Sequence, residues 1–236
     1  MYRKLNQKQT DLLKLAYRFR YLTTNNLALH RNTSQNSAYN SLQILYKAGL
    51  LGKRHKKSYR LMNKPASYYL TPEAVKYLKQ ADLDINKELL ESRYRESTKS
   101  SEFIDLQIAI HRAYIDLSNN LNDKDVLQTG SDIANLEGVI RPLPSLYLDP
   151  ADGNHYFIEL TDQQHLFIVR KRIRKYIENY ENNEWEWDKY PDVYIVRKSV
   201  GDRRRLIEYV EKQMDDNYLG EDDFSFYIIS KIDEIV

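Results

Sequence analysis

Asn36, Tyr39, Asn40, Gln43 and Lys47 recur at steps of three and four residues. On a helix they share one side, while Ala38, Leu42 and Leu45 fall on another. Asn and Gln each carry a donor beside an acceptor, the complement of an adenine edge in a major groove. With Gln35 beside it, this stripe has the composition of a base-reading surface, whereas a merely solvated helix more often shows Glu and Lys. Arg31, Ser34 and Lys47 flank it, and Lys53, Arg54, Lys56, Lys57 and Arg60 follow shortly after. These side chains suit phosphate oxygens, contacts that fix register without reading sequence. A later basic cluster, Arg170, Lys171, Arg172, Arg174 and Lys175, reads two ways. It is a second DNA contact, or a solvated helix face paired with Glu178 and Glu181.

Other chemistries find no foothold. The chain has no cysteine, which removes disulfides, thiolate catalysis and cysteine-ligated zinc. Its seven glycines form neither a dinucleotide fingerprint nor a phosphate-binding loop. His30, His55, His111, His155 and His165 are scattered without metal-ligand spacing, so neither metal nor cofactor is expected. Trp185 and Trp187, with Tyr176, Tyr180 and Tyr190 nearby, read as packing in preference to base stacking. No run of residues is apolar enough to span a membrane, and the polar start lacks a signal-peptide core, so a cytoplasmic protein is expected.

Charge separates the chain into two parts. Residues 1–80 hold 16 Lys and Arg against Asp11 and Glu73, a formal +14, and the remainder holds 20 basic against 32 acidic residues. A basic segment joined to an acidic one is the footprint of a module built for a polyanion, attached to one that is not.

The elements that must position these residues are legible. Helices are expected from about Asn6 to Arg18, over Thr24 to His30 behind a Thr23-Thr24 cap, and from Gln35 to Ala48, closed by Gly49. Strand-compatible residues follow at 50–62 and 66–71, with a turn signal at Asn63-Lys64-Pro65. A further helix opens at Thr71-Pro72. The charged stretch 81–98 reads as a linker, compatible with being partly helical, giving domains at 1–80 and 99–236. Beyond it come a helix from Glu102 to about Leu121 and strands near 125–129, 144–148 and 155–160. A helix at 164–181, a strand at 192–196, a helix at 202–214 and a strand at 224–229 complete the chain. Alternating strands and helices argue for an α/β sheet, and the chain overall for an α+β fold.

The run Ala48-Gly49-Leu50-Leu51-Gly52-Lys53-Arg54 and the segment from Tyr68 to Leu78 resemble the winged helix-turn-helix family. Residues 99–236 resemble the restriction-endonuclease-like fold. More narrowly, the chain resembles the replication-relaxation family of plasmid and conjugative-element proteins. That likeness rests on Ile140-Arg141-Pro142, Ser145 to Leu148, Tyr156-Phe157-Ile158-Glu159 and Arg172 to Tyr176. It implies a DNA-binding accessory protein of replication, relaxation or conjugative transfer. Implied partners are double-stranded DNA and a relaxase or replication protein, within a relaxosome, and a homodimer is compatible with it.

An active nuclease of the second fold needs metal-binding carboxylates and a lysine. Glu159 matches one such position, but the strand-entry acid falls at Leu143, Pro144 and Ser145, and the lysine position at Thr161. Asp132, Glu137 or Asp149 could supply a carboxylate, and Lys171 or Lys175 could reach inward. With two roles vacant, the resemblance implies a catalytically inactive domain. A winged-helix transcriptional regulator and a metal-dependent nuclease are the alternatives.

Overall fold

In a computed structural model the described residues are 5–55, 65–81, 85–151, 153–220 and 222–235. The chain is mixed α/β and divides into two compact units, Met1–Ile115 and Asp116–Val236.

The first unit opens with α1 (Gln7–Phe19), which begins at a reciprocal cap. Asn6 Oδ1 accepts from the Gln9 amide at 2.9 Å, and the Asn6 amide donates to Gln9 Oε1 at 3.1 Å. The short β1 (Leu22–Thr23) leads into α2 (Thr24–His30), capped by Thr23, and α3 (Gln35–Lys47), capped by Ser34. Gly49, at φ +75°, closes α3 in the left-handed conformation that favours glycine. Strands β2 (Leu51–Arg54) and β3 (Ser67–Leu70) pair antiparallel, and β1 adds to the other side of β3. Helix α4 (Pro72–Gln80) follows, with Pro72 in its first turn. Its cap Thr71 accepts from the Ala74 amide and donates its hydroxyl to Gly49 O at 2.7 Å, tying the end of α3 to the start of α4. Leu12, Leu13, Leu27, Leu42, Leu45 and Val75 are fully or almost fully buried in the core between these elements.

The stretch expected to be a linker is partly helical and packs on the first unit. Helix α5 (Lys87–Ser92) and a 3-10 segment, Arg93–Thr98, pack on this same core through Leu90. Glu96 receives Arg20 Nε at 2.9 Å and Nη2 at 2.8 Å, while its carbonyl accepts the Tyr21 hydroxyl. Arg93, 2% exposed, donates to the Tyr17 carbonyl. Of the charges that suggested a solvated connection, Arg93 and Glu96 are buried and paired, whereas Lys87, Glu88, Glu91 and Arg95 are exposed. Helix α6 (Ser101–Ser118), expected to open the second domain, belongs to the first unit as far as Ile115. Asn26, on α2, donates to the Ile108 carbonyl of α6 at 3.0 Å. Redrawn on this boundary, the first unit holds 21 Lys and Arg against nine Asp and Glu, and the second 15 against 25.

The second unit is a five-stranded sheet in the order β4 (Val126–Thr129), β5 (Leu146–Asp149), β6 (Tyr156–Leu160), β7 (Asp192–Val196), β8 (Phe226–Ile229). The first three strands run as an antiparallel meander and the last three are parallel. Parallel neighbours require crossovers, supplied by α7 (Leu166–Asn182) and α8 (Val200–Asp216). Tyr147, Phe157, Val193 and Ile195 share the face that packs on Ile173 and Tyr176 of α7 and Leu206 of α8. The aromatic cluster of Tyr180, Trp185, Trp187 and Tyr190 closes one end of this core, as a packing role requires.

Candidate nucleic-acid interface

Helix α3 presents two separate stripes. Ala38, Leu42 and Leu45 are 0–2% exposed, whereas Gln35, Asn36, Tyr39, Asn40 and Lys47 are exposed. Asn36 and Asn40 make no side-chain hydrogen bond among the described residues, so both amides keep their donors and acceptors. Gln35 is partly engaged, donating to Asn25 Oδ1 at 3.3 Å. Gln43 departs from expectation: it is half-buried and donates to the Tyr68 hydroxyl at 2.8 Å. Its amide joins α3 to β3 through one N–H, which fixes the direction of the side chain. Its place in the outward stripe is taken by Ile44, 53% exposed and one turn beyond Asn40.

The expected phosphate contacts sort into three groups. Ser34 Oγ accepts from the Ser37 amide as the cap of α3, with its hydroxyl hydrogen still available, and Lys47 is exposed in the last turn of that helix. Lys53 lies with Nζ 5.7 Å from the Tyr68 ring centre and 6.0 Å from that of Tyr46, a position that orients the cation without neutralising it. Arg31 is half-buried, and desolvation lowers its pKa against the opposing pull of Asp11. Arg54 is engaged within the chain: its guanidinium donates to the carbonyls of Lys99 and Ser97, holding β2 to the segment before α6. Lys56, Lys57 and Arg60 lie outside the described residues.

The later basic cluster is dispersed. Arg174 and Lys171 are exposed on α7, Lys175 donates to the Arg141 carbonyl at 3.3 Å, and Arg170 stands 5.1 Å from the Tyr209 ring centre. Two of the four are therefore engaged within the chain. Arg172, inside the same run, points to the sheet. Glu159 shares the helix-facing side of β6 with Phe157, two residues earlier, and so meets α7. Its Oε1 accepts from Arg172 Nε at 2.7 Å and from the Tyr176 hydroxyl at 2.6 Å, and Oε2 accepts from Ser145 Oγ at 3.3 Å. Burial pulls the Arg172 pKa down, but the Glu159 carboxylate outweighs it and the net shift is upward. Burial pushes the Tyr176 hydroxyl well up. The carboxylate is thus neutralised by a fixed cation.

The alternative carboxylates do not join it. Asp132 accepts from the Thr129 amide and hydroxyl at 2.7 and 2.9 Å, and Asp149 lies 3.3 Å from His155 Nδ1. At the lysine position, Thr161 donates its hydroxyl to the Val196 carbonyl at 2.9 Å. Among the described residues, no three His, Asp or Glu side chains converge to hold a metal ion.

Three arginines tie distant segments together, and two of them, Arg93 and Arg197, were not singled out in the sequence. Arg93 and Arg172 are described above. Arg197 donates to the carbonyls of Thr161 and Gln164 and pairs with Asp202 at 2.6 Å, joining the ends of β6 and β7 to the start of α8. Arginine in a charged run carries no sign of burial, so only the alternation of Phe157 and Glu159 on β6 hinted at Arg172. A buried histidine pair was also missed. His111 Nε2 lies 3.3 Å from His30 Nδ1, and His111 stacks on Phe19 at 4.0 Å between centroids. Burial, with Arg18 nearby, lowers the His30 pKa to about 4 and that of His111 to about 3. No helix among the described residues is long and apolar enough to cross a membrane. No protein-family model matches the chain, and no curated protein is significantly similar to it.

Proposed function

We propose that this protein binds duplex DNA through a winged helix-turn-helix in its first unit and serves as a non-catalytic accessory factor of a plasmid or mobile element. The observation that carries this reading is the outward stripe of α3, whose Asn36 and Asn40 amides are exposed and unengaged on a strongly basic unit. In a helix-turn-helix the second helix enters the major groove with its first residues against base edges, and the following hairpin holds backbone phosphates. Helices α2 and α3, joined through residues 31–34, and the pair β2–β3 provide those parts in that order.

The second unit is read as a restriction-endonuclease-like domain that does not cut. The Arg172–Glu159–Tyr176 network supports this, because a metal would have to displace a guanidinium held 2.7 Å from the carboxylate. The resemblance to the replication-relaxation family gives the setting: an origin or transfer site, with a relaxase or replication protein recruited beside it.

Fluorescence anisotropy of the full chain on labelled duplexes tests the reading. Binding should weaken steeply with salt, each neutralised phosphate adding about −0.9 to the slope of log K against log salt. No binding at low salt, or a flat slope, overturns it. Selection of fragments from the host element's DNA would then separate an origin or transfer site from a promoter. Nicked or linear plasmid formed with magnesium, and lost in Glu159→Ala, would overturn the inactive reading of the second unit.

A further inference from the structure

Resting on the duplex-DNA reading above, we infer that α3 reads an A·T-rich site, with Asn36 and Asn40 on adenine edges and Ile44 against a thymine methyl. These three residues stand at successive i+4 positions. At about 1.5 Å rise per residue, each step advances about 6 Å, close to two base-pair steps of about 3.4 Å. The outward line therefore addresses alternate base pairs in one groove.

The chemistry of each position selects the base. Exposed asparagine amides match the N6 donor and N7 acceptor of adenine, and an apolar side chain matches the thymine methyl. Guanine is most often read by arginine or lysine, and α3 contains no arginine and only Lys47, in its last turn. Of the other amides on the helix, Gln43 is tied to the Tyr68 hydroxyl and Gln35 to Asn25. A single exposed isoleucine is ordinary on a protein surface. Ile44 differs in continuing the line of two unengaged amides, with the exposed Tyr39 on the opposite flank of that line.

The test is selection of the full chain on randomised duplexes at one fixed low salt concentration, followed by replacement of thymine with deoxyuridine in the selected site. Selected sites should be rich in A·T pairs. Removing one contacted methyl should weaken binding about three- to fourfold, the equivalent of one buried methylene. In Ile44→Ala the thymine and deoxyuridine duplexes should bind alike, with the adenine preference retained. Because the deoxyuridine change is made in the DNA, it remains informative if that variant fails to fold. Absence of any duplex binding would overturn the DNA reading itself. Binding that selects G·C pairs, selects nothing, or ignores the thymine methyl would leave DNA binding intact and overturn this inference.

Discussion

Arg172 Nε lies 2.7 Å from Glu159 Oε1, the oxygen that also receives the Tyr176 hydroxyl. With side chains 11% and 8% exposed, this pair is buried, and removal of one partner strands the other charge. Glu159→Ala should therefore lower stability by about 3–5 kcal/mol. Replacing both residues by leucine should cost less than the single change, since no lone charge remains. Urea denaturation of the two variants checks this, and equal losses in the single and double variants would contradict it.

On α3 and the adjacent strand, two kinds of change should separate. Asn36→Ala with Asn40→Ala should reduce the preference for the selected site over scrambled duplex, each good bidentate contact discriminating by about 1–3 kcal/mol. Lys53→Ala should weaken all duplexes alike and reduce the salt slope by about 0.9. Competition binding at one salt concentration measures the first effect, and a salt titration the second. An unchanged specificity ratio in the asparagine variant would mean that α3 is not the reader.

Arg54→Ala should behave differently from its neighbour. Its guanidinium bonds to the Lys99 and Ser97 carbonyls, so the change should lower the melting temperature of the first unit before it affects phosphate contacts. A variant with wild-type stability and markedly weaker DNA binding would reverse the assignment.

A fragment ending at residue 80 lacks Leu90, Arg93 and Glu96, all nearly fully buried in the first unit. It leaves Arg20 and the Tyr21 hydroxyl without the Glu96 carboxylate and carbonyl that receive them. Residues 1–80 should consequently unfold without a cooperative transition, whereas 1–118 should melt cooperatively. Calorimetry of the two fragments decides it.

His30 and His111 are held neutral by burial, with folded pKa values of about 4 and about 3 against an ordinary 6.5. The unfolded chain binds their protons first, so their contribution to stability is complete above about pH 6.5. It is lost progressively as pH falls through the window down to the folded values. The buried His111 sets a slope of at most about 1.4 kcal/mol per pH unit, and the half-buried His30, screened by solvent, a smaller one. His111→Phe, which keeps the stacking on Phe19, should flatten the acid limb of a stability profile. An identical limb in wild type and variant would exclude the pair as its source.

Most element positions were legible because local rules and tertiary packing agree. Asn6, Thr23, Ser34 and Thr71 cap the helices expected to begin there, and the two stripes of α3 follow directly from its period. The segment 81–98 was not legible, because a charged sequence reads as solvated whether or not its charges find partners. Arg93 and Glu96 are buried only because Arg20, Tyr21 and Tyr17, more than seventy residues earlier, meet them. The internal bonds of Gln43 and Arg54 were not legible for the same reason. Side-chain type announced a hydrogen-bonding group, but the choice between a nucleic acid and Tyr68 or Lys99 was made by long-range packing.

The two stripes of α3 bear on how such a protein can change over generations. Ala38, Leu42 and Leu45 hold the helix in place, while Asn36, Asn40 and Ile44 contribute little to that packing. Surface exchanges of this kind usually alter stability by no more than about 0.5 kcal/mol. The outer positions are therefore free to drift or to be redesigned for new targets while the fold persists. Gln43 is the exception: bonded to Tyr68, it restricts that freedom at the centre of the helix.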